Sequence, residues 1–481
     1  MSIIFAITVR QSNEHKPSVL FQLRTYFSRR QHMKPLFAHQ KQSLKFMQNL
    51  PRVFDMSDPG TAKTRVELED FKRNRARGKA MLVLAPKSIL QNAWGNDIEE
   101  FVPELRYSIA HAENRAEAFA EKADIYITNI DAVKWLVKQG DKAFWKRFDR
   151  IVIDESTAFK HHTSDRSRAL NAIKKHFGIR RAMTGTPNTR SITDVWNQAF
   201  FLDDGQRLGK SFYAFRSATC VPEQRGRGKE MVEWVDKPGA EEAVASMLAD
   251  ITIRHKFEDC IDIPPTFKHV IKFYPSKKQL RAYEEMERDA IALMKKGMVT
   301  AVNAASARTK MLQIASGAVY ENDHKYHLID ESRYELVLDL VEQARHSIVF
   351  YLWKHQRDEI IRMAKARAIT HCVFDGEATD KQRAEYSKLF QAGFFQMMLC
   401  HPKSAAHGNT WTRATRTIWP SPPDDLEFWV QGNRRHARAG QTQKTEIIAV
   451  LAPQTIEMGV YAKLEQKQAR MDNLLELMET R

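Results

Sequence analysis

The segment SDPGTAKTR contains the residue types that bind nucleotide phosphates. Its glycine and small residues, Gly60, Thr61 and Ala62, would offer backbone N–H groups to an anion at the start of a helix. Lys63 would reach the β- and γ-phosphates, and the Thr64 hydroxyl would bind Mg²⁺. The usual pattern has glycine where this chain has alanine. The alternative is a Pro-Gly turn ahead of an ordinary helix.

Two adjacent carboxylates, Asp154 and Glu155, end the apolar run RIVIDE. One could hold the hydration shell of a magnesium ion, and the other could orient or deprotonate an attacking water. Since successive strand residues point to opposite faces, the two can have separate roles. An exposed strand end is the alternative reading.

A hydroxyl-bearing turn, with Thr184 and Thr186, follows the run RRAM. Alone it would mean little, but it comes third in order, after the phosphate loop and the acidic pair. These spacings allow the three preceding strands to lie side by side in one parallel sheet.

The segment WVQGNRRHARAGQ predicts one helix that carries Gln431, Arg435 and Arg438. The two arginines are three residues apart and would share a helix face. Guanidinium groups stabilise the charge on a transferring phosphoryl group, and a second lobe that supplies them would couple hydrolysis to closure. A basic surface helix is the alternative.

Short apolar runs alternate with helix-periodic stretches along most of the chain, which predicts an α/β fold with two parallel-sheet lobes. The first set of candidate strands is RVFDM, MLVLAP, DIYIT, RIVIDE and RRAMTG. The second set is SIVFYLW, HCVFD, FQMMLC, TRTIW and EIIAVLA.

The stretches between these sets suggest the domain boundaries. We expect an N-terminal extension over 1–33 and a first lobe over 34–255, with a helical insertion from about residue 195. A linker with inserted helices would occupy 256–335, near the junction of the lobes, and the second lobe 336–481.

Composition favours a polyanionic partner. The 481 residues include 75 Lys and Arg against 59 Asp and Glu, a formal charge of +16, which favours nucleic acid. The four cysteines are far apart and fit a reducing compartment. No apolar run approaches the ~20 residues needed to span a bilayer, so no membrane partner is expected.

Taken together, the motifs resemble those of superfamily-two helicase-like ATPases, and within them the Swi/Snf family, over nearly everything after Pro35. The compact form is similar to small phage and bacterial members. The segments that carry the resemblance, besides the phosphate loop and the acidic pair, are LFAHQ, LVLAPKSILQNAW, MTGTPNTRSITDVWNQAFFLDD, IRHKFEDCIDIPPTFKHVIKF, VFDGEATDKQRAEYSKLF, SAAHGNTW and RRHARAGQ.

The chain departs from the family pattern at a few positions. Ala62 replaces the last glycine of the phosphate loop, and Ala437 replaces a histidine beside the arginines. Ser156 and Thr157 stand where the family has Ala-His after the acidic pair.

The resemblance implies two RecA-like lobes with ATP between them. It assigns Lys63 and Thr64 to phosphate and Mg²⁺, Asp154 to the metal's water and Glu155 to the base. Arg435 and Arg438 would be arginine fingers. The resemblance also implies that Gln40 reads adenine, that Gln431 contacts the nucleotide, and that the nucleic-acid contacts are Lys87, Ser88, Asn92, Thr128, Thr184, Thr186 and Gly408.

The expected function is ATP-dependent translocation on duplex DNA, with ATP and Mg²⁺ as cofactors, in a bacterial or phage-infected host cytoplasm. Two alternatives stay open. One is a strand-separating DNA or RNA helicase of the same superfamily. The other is a nucleic-acid-binding module that has lost hydrolysis, with Ala62 as its lesion.

Overall fold

The computed structural model describes residues 35–139, 141–224, 232–295, 301–322, 325–405 and 410–479. The predicted extension over 1–33 and the predicted contact residue Gly408 lie outside these residues. The chain divides into two units, Met1–Phe37 and Ala38–Arg481, and the second holds every helix and strand of the described residues.

The strands of the described residues are numbered in chain order. They are β1 (Arg52–Asp55), β2 (Ala80–Ala85), β3 (Tyr107–Ala110), β4 (Ile125–Asn129), β5 (Phe148–Asp154), β6 (Ile179–Met183), β7 (Cys220–Gln224), β8 (Val232–Asp236), β9 (Thr252–Ile253), β10 (Thr266–Lys272), β11 (Ala318–Asn322), β12 (Lys325–Leu328), β13 (Ser347–Phe350), β14 (His371–Phe374), β15 (Met397–Cys400), β16 (Arg416–Trp419) and β17 (Thr445–Leu451).

The α-helices of the described residues are numbered in the same way. They are α1 (Ala38–Met47), α2 (Lys63–Asn74), α3 (Asn96–Phe101), α4 (Arg115–Ala120), α5 (Val133–Leu136), α6 (Lys142–Lys146), α7 (Asp165–Ile173), α8 (Asp194–Asp203), α9 (Phe212–Thr219), α10 (Ala240–Leu248), α11 (Phe257–Cys260), α12 (Lys277–Lys295), α13 (Ala301–Ala315), α14 (Ser332–Glu342), α15 (Lys354–Ala366), α16 (Asp380–Ala392), α17 (Pro402–Ala405), α18 (Leu426–Asn433) and α19 (Glu457–Leu477).

The first lobe is built on a seven-stranded parallel sheet with the order β3-β4-β2-β5-β6-β1-β9. Its central strands are apolar and buried on both faces, as parallel sheets covered by helices require. Strands β5, β6 and β1 are neighbours, so the acidic pair, the threonine turn and the phosphate loop leave the same edge of the sheet. The side-by-side arrangement expected from their spacing is confirmed.

The second lobe is built on a six-stranded parallel sheet with the order β10-β17-β16-β13-β15-β14. The predicted α/β class with two parallel-sheet lobes is therefore confirmed. The lobes also share apolar packing: the C-terminal helix α19 follows the last strand of the second lobe and packs on α10 of the first.

Several elements were not expected from the sequence. The segment 256–335 does supply helices α12 and α13, but it also supplies β10, the edge strand of the second sheet. Most residues of this strand are exposed, including the four from Phe267 to Val270, so it lacks the continuous apolar run that marked the other strands. Two antiparallel hairpins, β7–β8 and β11–β12, extend from the lobes. In the described part of the chain, no helix is long and apolar enough to cross a membrane.

Candidate active site

The segment predicted to bind phosphate, here called the phosphate loop, lies between β1 and α2, and α2 begins at Lys63. Gly60 has φ +94°, and Ala62 has φ 57° and ψ 45°, so both lie in the left-handed region. This backbone costs an L-residue about 1–2 kcal/mol. The alanine therefore adopts the conformation for which the usual pattern employs glycine, and the loop keeps its shape under strain.

The Lys63 ammonium lies against the loop itself. It donates hydrogen bonds to the carbonyl oxygens of Ser57 at 2.7 Å and Asp58 at 3.0 Å. The Thr61 hydroxyl also donates to the Asp58 carbonyl, at 2.8 Å. Phosphate oxygens are stronger acceptors than these carbonyls, so the ammonium can exchange partners without leaving the start of the helix.

Helix α1 holds the loop from the side. His39 Nε2 lies 2.9 Å from the Thr61 carbonyl, and the Gln40 amide donates to the Ala62 carbonyl at 3.4 Å. Gln40 is fully buried. Its role in reading adenine stays a prediction, and its contact places it beside the phosphate loop.

Asp154 is buried at the end of β5 and accepts a hydrogen bond from the Trp94 indole at 3.0 Å. Burial and the neighbouring Glu155 raise the pKa of Asp154 to about 6, although Lys63 and the indole act in the opposite direction. No role was predicted for Trp94, although it lies in LVLAPKSILQNAW, one of the segments that carry the resemblance. Its indole fixes the carboxylate expected to bind the metal's water.

Glu155 does not continue the strand, so the prediction that the two carboxylates point to opposite faces of a strand was wrong. The strand ends at Asp154, and Glu155 has φ 56° and ψ 59° in the left-handed region. Non-glycine residues in such backbone concentrate at functional sites. The turn, and not the strand pleat, separates the two carboxylates.

Cations from both lobes act on Glu155. Burial raises the pKa of the Glu155 carboxyl, while Lys63, Arg435 and Arg438 lower it. Arg435 is buried, and its burial lowers the pKa of its guanidinium. Burial likewise lowers the pKa of Arg438, to about 10, against the opposing effect of Glu155. The structure thus brings the predicted lysine, base and arginines into one electrostatic site.

The arginines do not share a helix with Gln431, which corrects the sequence prediction. Helix α18 ends at Asn433, and Arg435 and Arg438 lie in the turns that follow. The Arg435 carbonyl accepts a hydrogen bond from the Trp411 backbone N–H at 2.9 Å. A donor from a distant part of the chain thus replaces the backbone N–H that a continuing helix would supply. Helical spacing cannot reveal such a competitor.

Gln431 is buried, and in the described part of the chain neither polar atom of its side-chain amide has a hydrogen-bond partner. A buried amide without partners costs about 1–3 kcal/mol. The predicted contact of Gln431 with a nucleotide would remove this cost.

The threonine turn, which carries Thr184 and Thr186, is hydrogen-bonded to the turn that begins at Glu155, here called the acidic turn. Thr157 Oγ1 lies 2.8 Å from Thr184 Oγ1 and donates to the Thr186 carbonyl at 2.8 Å. Thr184 Oγ1 lies 3.5 Å from Glu155 Oε2. Thr184 and Thr186 are both buried, so their side chains offer little surface to the nucleic acid predicted for them.

The other predicted nucleic-acid residues differ in exposure. Lys87, Ser88 and Asn92 are exposed just beyond the carboxyl end of β2. Lys87 lies 3.2 Å from Asp380 of the second lobe. Thr128 donates to the Ala110 carbonyl at 2.7 Å and is fully buried, so its side chain offers no surface to an outside ligand.

The residues present suit Mg²⁺. Thr64 lies in the first turn of α2, and Asp154 is a buried carboxylate at the adjacent edge of the sheet. Hydroxyl and carboxylate oxygens are the ligands that Mg²⁺ takes together with substrate phosphates and water. The described residues hold no group of three or more His, Cys, Asp or Glu side chains that could bind a metal by themselves.

Sequence reasoning overlooked a charged cluster that joins the lobes at the phosphate loop. Asp58 lies 2.9 Å from Arg254 of the first lobe and 3.3 Å from Arg434 of the second. Together, Arg434 and Arg254 hold the pKa of Asp58 below its usual value despite burial. The pair of consecutive arginines in NRRHAR was the available signal.

Comparisons with known proteins agree with these motifs. A family model described as SNF2-related domain matches residues 23–320, more than half of the chain. A protein named p41, from Acyrthosiphon pisum secondary endosymbiont phage 1, is 28% identical over 439 residues, which cover 87% of this chain and 92% of that protein.

An uncharacterized ATP-dependent helicase of Mycoplasma genitalium is 24% identical over 409 residues, or 80% of this chain. The match covers 36% of that protein, so the chain spans about a third of its length. Among solved structures, the SWI2/SNF2 ATPase core of Sulfolobus solfataricus in complex with dsDNA aligns over 92% of this chain and 93% of that one, at 20% identity and a TM-score of 0.43.

Proposed function

Because the chain belongs to the SNF2-related family of ATP-dependent, helicase-like ATPases, we propose that it is a DNA-stimulated ATPase that translocates on duplex DNA. Hydrolysis would occur between the lobes, and cycles of closure would step the lobes along the nucleic-acid backbone.

One observation carries this proposal: charged groups from both lobes meet at Glu155. Lys63 comes from the phosphate loop of the first lobe, and Arg435 and Arg438 come from the second. A site completed only when two lobes close is the arrangement that couples phosphoryl transfer to motion.

Each side chain has a role in the proposed reaction. Lys63 binds the β- and γ-phosphates, and Glu155 accepts a proton from the attacking water. Arg435 and Arg438 stabilise the charge that develops on the γ-phosphoryl group. Mg²⁺, held by Thr64 and through water by Asp154, would neutralise the phosphate charge.

The nucleic-acid part of the proposal is supported by the formal charge of +16 and by the exposed Lys87, Ser88 and Asn92. These side chains lie at the carboxyl edge of the first sheet, where parallel α/β sheets bind ligands. Contacts of this type bind phosphates and not base edges. The affinity would therefore not depend on DNA sequence and would fall steeply as the salt concentration rises.

The test is ATP turnover measured without nucleic acid, with duplex DNA, with single-stranded DNA and with RNA. Lys63→Ala and Glu155→Gln set the background. We expect duplex DNA to stimulate the unsubstituted protein most strongly. Stimulation by single strands or RNA instead, together with strand separation, would favour the helicase alternative.

The strained Ala62 is the observation that favours the second candidate, a binding module without hydrolysis. Salt-sensitive DNA binding, with turnover no higher than that of Lys63→Ala under any condition, would support that candidate and refute the motor.

A further inference from the structure

Helix α18 contacts the first lobe through ion pairs at both of its ends. At its start, Glu427 Oε2 lies 3.5 Å from Lys160 Nζ, which follows the acidic turn. Just after its end, Arg434 Nη2 lies 3.3 Å from Asp58 Oδ2 in the phosphate loop. One short helix of the second lobe therefore reaches both halves of the nucleotide site.

The helix supplies the acidic residue of the first pair and the basic residue of the second. The two pairs therefore fix the direction in which the helix docks on the first lobe. Glu427 and Arg434 are seven residues apart, about 10 Å along a helix. An acidic residue at the start and a basic residue at the end also suit the helix dipole. Docking in the reverse direction would oppose Glu427 to Asp58 and Arg434 to Lys160, which are like charges.

Both first-lobe partners also make a bond inside the first lobe, which separation of the lobes does not require them to lose. Asp58 retains Arg254 at 2.9 Å, and Lys160 retains the Thr189 hydroxyl at 2.7 Å. Breaking a buried ion pair is costly when it leaves a charge without compensation. Here Asp58 keeps an opposite charge and Lys160 keeps a hydrogen-bond acceptor inside the first lobe, so the pairs with Glu427 and Arg434 can form and break with each closure.

The pairs are connected to the groups that act on phosphate. The Asp58 carbonyl accepts a hydrogen bond from the Lys63 ammonium at 3.0 Å. On the other side, Arg435 directly follows Arg434, and Arg438 Nε donates to the Arg434 carbonyl at 3.0 Å. A displacement of Arg434 would therefore move both arginines of the second lobe.

We propose that Glu427 and Arg434 are positioning residues: their ion pairs with Lys160 and Asp58 fasten α18 to the first lobe and align Arg435 and Arg438 with Glu155. This inference deepens the proposed function and rests on it. One helix of the second lobe thus contacts both halves of the proposed ATP site, through Lys160 at its start and Asp58 at its end.

The experiment compares Glu427→Gln, Arg434→Gln and the double variant. Each single substitution is expected to lower kcat of DNA-stimulated turnover about fivefold, the effect of one modest ion pair, with a smaller change in KM. Arg434→Lys should recover part of the loss. Arg434 lines an interlobe cavity of about 190 Å³, so glutamine there keeps access to water and the fold should persist.

Arg367→Gln is the matched control. Its side chain is 28% exposed, as is that of Arg434, but it pairs with Asp339 and Glu342 inside the second lobe. It should leave kcat unchanged. Equal losses of kcat in Arg367→Gln and Arg434→Gln, or unchanged kcat in both α18 variants, would overturn the inference.

A second measurement does not depend on turnover. Dyes at Val137→Cys and Phe394→Cys, two exposed positions on different lobes, report interlobe distance by energy transfer in a Cys260→Ser background, since the other cysteines are buried. With a non-hydrolysable ATP analogue, the α18 variants should populate the closed distance less than Arg367→Gln does. Equal closed populations would contradict the inference. If the protein showed no ATP turnover but its α18 variants still closed less than Arg367→Gln, the translocase proposal would be refuted and the positioning role of Glu427 and Arg434 would stand.

Discussion

Thr157 Oγ1 lies 2.8 Å from Thr184 Oγ1, at the point where the acidic turn meets the threonine turn. Both side chains are buried. Thr184 in turn approaches Glu155, so a hydroxyl chain runs from one turn through the other to the proposed base. Where the family pattern has Ala-His, this chain makes the connection with a threonine.

Thr157→Val should break this connection while it keeps the shape of the side chain. We expect a loss of about 1–3 kcal/mol in the free energy of unfolding, because the Thr186 carbonyl loses its buried donor. Turnover should also fall. Thr128→Val is the matched control, since it deletes a buried hydroxyl bonded to the Ala110 carbonyl away from the site. Chemical denaturation and ATPase assays should show similar destabilisation in both variants but lower turnover only in Thr157→Val.

Ala62→Gly should tighten ATP binding or speed turnover. Glycine adopts the left-handed backbone of this position without the cost of a Cβ, about 1–2 kcal/mol, which corresponds to roughly tenfold in affinity. Titration with a fluorescent ATP analogue and steady-state kinetics measure the two effects. Lower turnover at unchanged stability would show instead that the alanine is adapted to this loop.

Turnover should fall as the pH drops through about 6, because the role proposed for Asp154, binding the metal's water, requires an ionised carboxylate and its pKa is raised to about 6. Trp94→Phe removes the indole hydrogen bond that favours the ionised carboxylate. The acidic limb of the pH–rate profile should then move to higher pH. A limb that stays in place, or moves to lower pH, would contradict this assignment.

Glu155→Gln should abolish DNA-stimulated turnover and at the same time stabilise the fold near pH 8. Burial raises the pKa of Glu155, so its ionised form is disfavoured in the folded protein, and a neutral amide avoids that cost. Thermal unfolding at pH 8 provides the measurement. An unchanged or lower Tm would indicate that the cations around Glu155 outweigh its burial.

Glu67, buried in α2 behind the phosphate loop, should make stability depend on pH. Burial raises the pKa of its carboxyl from 4.5 to about 8, while Arg181 opposes the shift. The folded protein keeps this proton to a higher pH than the unfolded chain does, so the free energy of unfolding should fall as pH rises from about 4.5 to about 8. Urea denaturation of Glu67→Gln should show a smaller fall across this range. An identical pH dependence in both proteins would rule out this origin.

The sequence by itself determined five of the seven strands of the first sheet, five of the six strands of the second, and the lysine, glutamate and arginines that the structure brings together. Buried parallel strands are continuous apolar runs, and these are visible without any tertiary information, as in RIVIDE and MLVLAP. Their order along the chain also predicted that β1, β5 and β6 would present the phosphate loop, the acidic pair and the threonine turn at one edge. The edge strand β10 was missed because most of its residues are exposed and Lys and His interrupt its apolar side chains.

Only the tertiary structure decided the local geometry of these residues. Periodicity predicted a helix through Arg438, but the Trp411 backbone N–H competes for the Arg435 carbonyl and the helix ends at Asn433. Backbone angles at Ala62 and Glu155 depend on what surrounds each turn, not on residue type. The pair between Arg434 and Asp58 joins positions almost four hundred residues apart, and no local pattern records a contact that exists only when two lobes meet.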